Sequence, residues 1–273
     1  MIKKESISIM KRNKIKAIVT FIMIVAICFS GCKKNEDIPS DSIGIIGAMD
    51  VEVTSIKEAM TVKQVIKDSG VEYYIGVLGK TNIVVAKCDM GKVHAGICAS
   101  KMIDKYGCTK IINTGVAGSL DSNIKMGDIV VSTDVVQHDF DATPIGFEKG
   151  EIPYTGKISF EADEEMIEKV YEYANNFNEH TKAYKGRICS GDQFIASKEK
   201  LTKITSEFGG LCCEMEGGAI AQVCYLSDIP FVIMRIISDL PGETKISDYQ
   251  ESEADFSLKC ARIVEKMIKE WEE

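Results

Sequence analysis

From residue 42 onward, short apolar runs alternate with longer segments in which apolar and polar positions mix at helical spacing. Residues 43–48 are apolar and β-rich, carry Gly44 and Gly47, and predict a buried strand; residues 53–60 predict the helix after it. Residues 73–78 and 82–87 predict two strands meeting at Gly79-Lys80, a hairpin turn. A helix is expected over 92–106, with Ala95, Ile97, Ala99, Met102 and Ile103 among its buried positions. Strands follow at 110–114 and 128–133, a helix at 164–177, a strand at 184–190 and a helix at 198–206. Residues 217–226 predict a helix of small residues able to lie close against a sheet. Residues 231–238 predict a buried strand, and 249–273 a long amphipathic helix. Apolar strands separated by helices imply one α/β domain over 43–273, with a central, mixed, mostly parallel sheet flanked by helices in a three-layer sandwich.

The segment ahead of that domain reads differently. Lys3, Lys4, Lys11, Arg12, Lys14 and Lys16 precede an apolar run over 17–30 that ends at Gly31-Cys32. A basic start, a run of this length and small residues before a cleavage point make residues 1–31 a signal peptide rather than a spanning helix. Cys32 after Ser30-Gly31 resembles a bacterial lipobox, with Phe29 where that motif usually has Leu. Cys32 is then the lipidated first residue and 32–42 a polar tether. The expected location is the cell envelope, anchored on the outer face of the cytoplasmic membrane; an uncleaved N-terminal membrane anchor is the alternative.

Composition narrows the function classes. With 273 residues, 45% of them hydrophobic, the chain can bury a substantial core. A net charge of -8, no basic stripe and few aromatic residues argue against a nucleic-acid partner. Of the ten cysteines, all but Cys28 and Cys32 lie mostly in apolar segments. No C-x-x-C pair or Cys/His cluster appears, so no metal site is expected. The thiols read as small core hydrophobes, although free thiols are unusual in an exported protein and disulfides among some of them stay open.

In a sheet of this kind ligands bind beyond the carboxyl ends of the strands. Met49-Asp50-Val51-Glu52 follows the first strand, and the glycine-rich segment 115–119, read as a turn, follows the strand at 110–114. Gly191-Asp192-Gln193-Phe194-Ile195 follows the strand at 184–190, and Asp239 the last strand. Glu214-Met215-Glu216 precedes the small-residue helix inside an otherwise apolar run. Glu214 and Glu216 are either first-turn glutamates favoured by the helix dipole or carboxylates facing a cavity, and spacing leaves both readings open. Several carboxylates around an apolar slot suit acid/base work on a neutral polar ligand, as glycosidic-bond cleavage requires. The segment 115–118 is also the kind of backbone that cradles phosphate, but no Lys or Arg stands beside it.

Seven motifs in order now carry a resemblance. They are Gly44-Ile45-Ile46-Gly47-Ala48-Met49-Asp50-Val51-Glu52-Val53, Ile112-Asn113-Thr114-Gly115-Val116-Ala117-Gly118, Gly127-Asp128-Ile129-Val130-Val131-Ser132, His138-Asp139-Phe140-Asp141-Ala142-Thr143, Ser190-Gly191-Asp192-Gln193-Phe194-Ile195, Glu214-Met215-Glu216 and Arg235-Ile236-Ile237-Ser238-Asp239. Together they resemble the bacterial 5'-methylthioadenosine/S-adenosylhomocysteine nucleosidases, of the purine nucleoside phosphorylase superfamily, from residue 43 to the C-terminus.

The resemblance implies a nucleoside phosphorylase-like fold and hydrolysis of a purine nucleoside without metal or organic cofactor. It gives Glu52 the attacking water, Asp239 the proton delivered to N7 of adenine, and Glu216 the ribose hydroxyls with Met215 beside the sugar. Phe194 stacks on adenine and the backbone of Ile195 reads its edge. Met49, Val116, Ala117 and Gly118 back the sugar and water, with Val116 in place of a Ser common in the family. Arg235 and Ser238 are supporting polar residues, and Tyr249 falls where the family has an aromatic over the ligand. His138 and Asp139 are assigned to a loop or a subunit interface. A homodimer using residues 140–153 is implied. A phosphorylase and a lipid-anchored, non-catalytic nucleoside-binding protein are the alternatives.

Overall fold

The computed structural model describes residues 39, 41–178, 180–240 and 246–271, with backbone alone for 246–252. The expected signal segment, Cys32 and most of the tether lie outside the described residues, as does the side chain of Tyr249.

Ten strands form one sheet: β1 (Ser42–Gly47), β2 (Thr61–Asp68), β3 (Val71–Leu78), β4 (Thr81–Lys87), β5 (Cys108–Ser119), β6 (Ile129–Gln137), β7 (Ser159–Glu161), β8 (Ala183–Ser190), β9 (Cys212–Glu214) and β10 (Phe231–Asp239). Six helices accompany them among the described residues: α1 (Thr54–Ala59), α2 (Lys92–Asp104), α3 (Glu164–Asn175), α4 (Lys198–Phe208), α5 (Gly217–Ser227) and α6 (Ile246–Lys269). β1 is buried along its whole length because parallel neighbours β4 and β5 flank it and helices cover both faces. α1, α3 and α6 pack on one side, α2 against α5 on another. One apolar cluster lies under α6, where Cys260, Ile263, Val264, Met267 and Ile268 meet Ile45, Ile112, Val232 and Met234.

β5 pairs with β1 and with β10 in parallel, and with β9 in antiparallel fashion. β10 pairs on with β6, β6 with β8, and β8 with β9. These five strands therefore close into a ring, and β1, β4, β3 and β2 extend from it as a wing. The sheet is mixed as expected: parallel pairs join β4, β1, β5 and β10 in one run and β6, β8 and β9 in another, while antiparallel pairs occupy the β2–β3–β4 wing and join β10 to β6 and β5 to β9.

Three local expectations change. Residues 115–118 do not turn: Gly115 pairs with Arg235, Val116 with Ile236, Ala117 with Ile237 and Gly118 with Asp239, so β5 runs on through its glycines. On α2 the inward stripe is Ala95, Cys98, Ala99 and Met102, spaced three, four and seven apart, and Ile97 faces outward. β2 carries no strong signal because residues 61–65 are exposed at the edge of the wing, held by backbone pairing to β3 alone. The eight described cysteines are buried and free of disulfides.

Candidate active site

β1 ends at Gly47, and the short 3-10 turn Asp50–Glu52 folds Glu52 back beneath the strand end. Glu52 is 2% exposed. Its Oε2 accepts the N–H groups of Ala48 at 2.6 Å and Met49 at 3.0 Å, and its Oε1 accepts that of Val116 at 3.2 Å. Gly115 makes the approach possible, since a Cβ there would stand 2.6 Å from Oε1. Burial pushes the Glu52 carboxyl above its ordinary value, against the downward pull of Arg235 and the three N–H donors.

β9 and the start of α5 place the two other glutamates on one floor. Glu214 Oε2 accepts the N–H groups of Glu216 at 3.1 Å and Gly217 at 2.8 Å, so Glu214 caps α5. The same oxygen accepts Arg235 Nη2, which also donates to Asn113 Oδ1. A buried guanidinium needs this compensation, because an unpaired charge there costs several kcal/mol. Glu216 Oε1 accepts the Gly91 N–H at 2.9 Å, and its Oε2 lies 3.8 Å from Arg235 Nη2. Burial first, and then the charge of Glu214, push the Glu216 carboxyl up to about 7 against the pull of Arg235.

β10 ends at Asp239, which is 7% exposed. The Ser238 hydroxyl lies 3.0 Å from Asp239 Oδ1 and 3.3 Å from the Ala117 carbonyl, and its one proton serves one of them at a time. Burial raises the Asp239 carboxyl, with the Ser238 bond opposing.

Glu52, Glu216 and Asp239 line a single cleft. Met49, Val116, Ala117, Gly118, Phe194, Ile195, Met215 and Ser238 complete the predicted set on its wall. Phe194 is half-exposed on the loop after β8, whereas Ile195 is buried against Leu120, Ile204 and Phe208. Arg235 is a correction: it is 1% exposed, lies under the floor and does not line the cleft. It reaches the site only through Glu214 and Glu216.

The family model described as "Phosphorylase superfamily" matches residues 42–269. A 5'-methylthioadenosine/S-adenosylhomocysteine nucleosidase of Staphylococcus aureus (strain bovine RF122 / ET3-1) is 42% identical over 207 residues, which is 75% of this chain and 90% of that protein. The chain belongs to this nucleosidase family. Among solved structures, the 5'-methylthioadenosine/S-adenosylhomocysteine nucleosidase of Neisseria meningitidis in complex with methylthio-immucillin-A aligns with a TM-score of 0.80 at 32% identity. That alignment covers 84% of this chain and 99% of the other. A futalosine hydrolase of Helicobacter pylori aligns with a TM-score of 0.79 at 34% identity, over 85% and 99% of the two chains.

In this nucleosidase-family chain, Val116 contributes to the cleft through its N–H on Glu52, while its side chain packs against the main core. A Val therefore preserves the backbone contact. Ala48, Met90, Gln193, Cys213 and Glu214 also line the cleft, without a role in the set that the resemblance implies. The signal for Met90 is the Gly91-Lys92 pair after it: Gly91 has φ +97°, which frees its N–H to meet Glu216 before α2 begins. His138 is buried and does not line the cleft, and Asp139 bonds Lys92 and Asp192 instead.

Proposed function

We propose that this chain hydrolyses the N-glycosidic bond of 5'-methylthioadenosine and S-adenosylhomocysteine, releasing adenine and a 5'-thio-substituted ribose. The observation that carries the reading is the meeting of Glu52, Glu216 and Asp239 around one cleft beside Phe194. Asp239, whose carboxyl burial raises above its ordinary value, donates its proton to N7 as the C1'-N9 bond stretches, so adenine leaves neutral. Positive charge grows on the ribose, and water oriented by Glu52 adds at C1' while its proton passes to the carboxylate. Glu216 accepts the ribose hydroxyls, and Phe194 stacks on the base. Water is favoured over phosphate as nucleophile because the described wall presents carboxylates, which repel an anion, and Arg235 is committed to Glu214.

Futalosine is a second candidate substrate, supported by the likeness to the Helicobacter pylori hydrolase. The deciding experiment is a purine-release assay, with the released base identified by chromatography, of the purified full chain with methylthioadenosine, S-adenosylhomocysteine, adenosine and futalosine, each with and without phosphate. Phosphate-independent release, fastest from the two thio-nucleosides, is the expected result. Release that requires phosphate would make the chain a phosphorylase, and binding without release would make it a binding protein.

We propose a homodimer as the working unit. Met90, Val93 and Ile97 expose an apolar row on and before α2, and Ile145 within the implied 140–153 segment and Tyr154 just after it are exposed as well. Met90 also lines the cleft, so a partner covering this row would border the ligand. Export with lipidation at Cys32 remains part of the proposal, on the strength of the sequence before residue 42.

A further inference from the structure

Outside the cleft, one cluster of charged groups joins three segments that the chain brings in from far apart. Lys92, the first residue of α2, places Nζ 2.6 Å from Asp139 Oδ1 and 3.1 Å from Gln137 Oε1. Its own N–H donates to Asp192 Oδ1 at 2.8 Å, and the Asp192 N–H donates to Asp139 Oδ2 at 2.9 Å. The three residues thus form a closed circuit in which each touches both others. The Lys92 and Asp139 side chains are 17% and 14% exposed, so the pair is partly desolvated and stronger than a surface ion pair. Burial pushes the Asp139 carboxyl up, but the Lys92 ammonium and the Asp192 N–H outweigh it and hold it below its ordinary value.

The place of the circuit gives it a task. Gly91, next to Lys92, donates its N–H to Glu216 on the ribose side of the cleft. Asp192 stands next to Gln193 and Phe194, which form the base side. Two glycines let the segments close up: a Cβ on Gly91 would stand 3.2 Å from Asp192 Oδ1, and one on Gly191 would stand 2.5 Å from His138 Nε2. Gln137 continues the circuit to α5 through Gln222, at 2.7 Å. The base-stacking loop is therefore tied to the turn that holds Glu216, and the tie passes through Lys92 and Asp139.

We propose that Lys92 and Asp139 are positioning residues that set the distance between the loop receiving the purine and the carboxylate receiving the ribose. This rests on the nucleosidase reading for its substrate, though not for its geometry. Losing the tie frees the loop and weakens purine binding, while Glu52 and Asp239, held by other contacts, keep their places.

The test uses the full chain with Lys92→Met, Asp139→Asn, the double variant and Lys92→Arg. Lys92→Met and Asp139→Asn should each weaken adenine binding, measured by calorimetry, and raise the KM for methylthioadenosine by about tenfold, with kcat within threefold. The double variant should be no worse than either single variant, and Lys92→Arg should recover most of the loss. Unchanged adenine affinity in folded Lys92→Met, or losses that multiply in the double variant, would overturn the proposal. If the parent chain releases no adenine from any nucleoside, the nucleosidase reading fails by itself, and adenine affinity still decides the positioning role.

Discussion

The ends of β1 and β10 both deliver a buried carboxylate to the same cleft, but they surround it differently. Glu52 receives three backbone N–H groups and lies in the field of Arg235. Asp239 is held by the Ser238 hydroxyl, which is shared with the Ala117 carbonyl. Burial raises both carboxyls, but donors aimed at an oxygen favour its ionised form. The β1 end thus opposes the rise with three N–H donors and the field of Arg235, and the β10 end opposes it with one shared hydroxyl. The difference comes from backbone geometry more than from the choice of Glu or Asp.

The largest expected effect breaks the comparison at the β10 end. Asp239→Asn should lower kcat/KM for adenine release by roughly 10⁴-fold, because Asn has no proton to give. With a nucleoside-like substrate whose leaving group departs without protonation, such as a 4-nitrophenyl 5-thioriboside, most of that loss should vanish in Asp239→Asn and persist in Glu52→Gln. Equal losses in both variants on that substrate would contradict the division of labour.

A smaller effect should follow from disturbing the β1 end without removing its carboxylate. Gly115→Ala puts a Cβ within 2.6 Å of Glu52 Oε1 and should displace it from the Val116 N–H. We expect kcat/KM to fall about 100-fold in a folded protein, in line with misplacement of a catalytic group by an ångström. A crystal structure of the variant with Glu52 unmoved and full activity would count against the cradle.

The smallest effect concerns Glu216, which stands between the two ends. Its carboxyl, raised to about 7 from 4.5, binds more protons folded than unfolded in the window between those values. Its contribution to stability therefore falls as pH rises from about 5 toward 8. Glu216→Gln should gain stability relative to the parent at pH 8 but not at pH 5, by ~1–3 kcal/mol in denaturant titrations. The same substitution should remove an acid limb near 7 from the pH profile of kcat/KM. A pH-independent stability difference would place the titration elsewhere.

How much of this was legible in the sequence varies with the kind of information required. Strands such as β1 and β10 announce themselves as apolar runs because both faces are covered. β2 does not, because it is held by hydrogen bonds to β3 and buries almost nothing. The glycines at 115 and 118 look like a turn in one dimension; in three they belong to a strand, and Gly115 must remain bare for Glu52 to enter. The acids of the cleft were visible as rim residues, and their family order gave them roles. Two things were hidden: that Arg235 serves from beneath the floor, and that Lys92 reaches Asp139 and Asp192 across 47 and 100 positions of chain. Such long-range pairings leave no local pattern to read.

The direction of β1 has a mechanical consequence. The strand starts at Ser42, near Pro39 and with Asp41 bonded to Thr109, and reaches the catalytic rim after six residues, about 20 Å away. The chain therefore enters the sheet at the end of β1 opposite the cleft. Immobilising the chain through its N-terminus should leave turnover intact, whereas a bulky group fused near Phe194 should block the entrance.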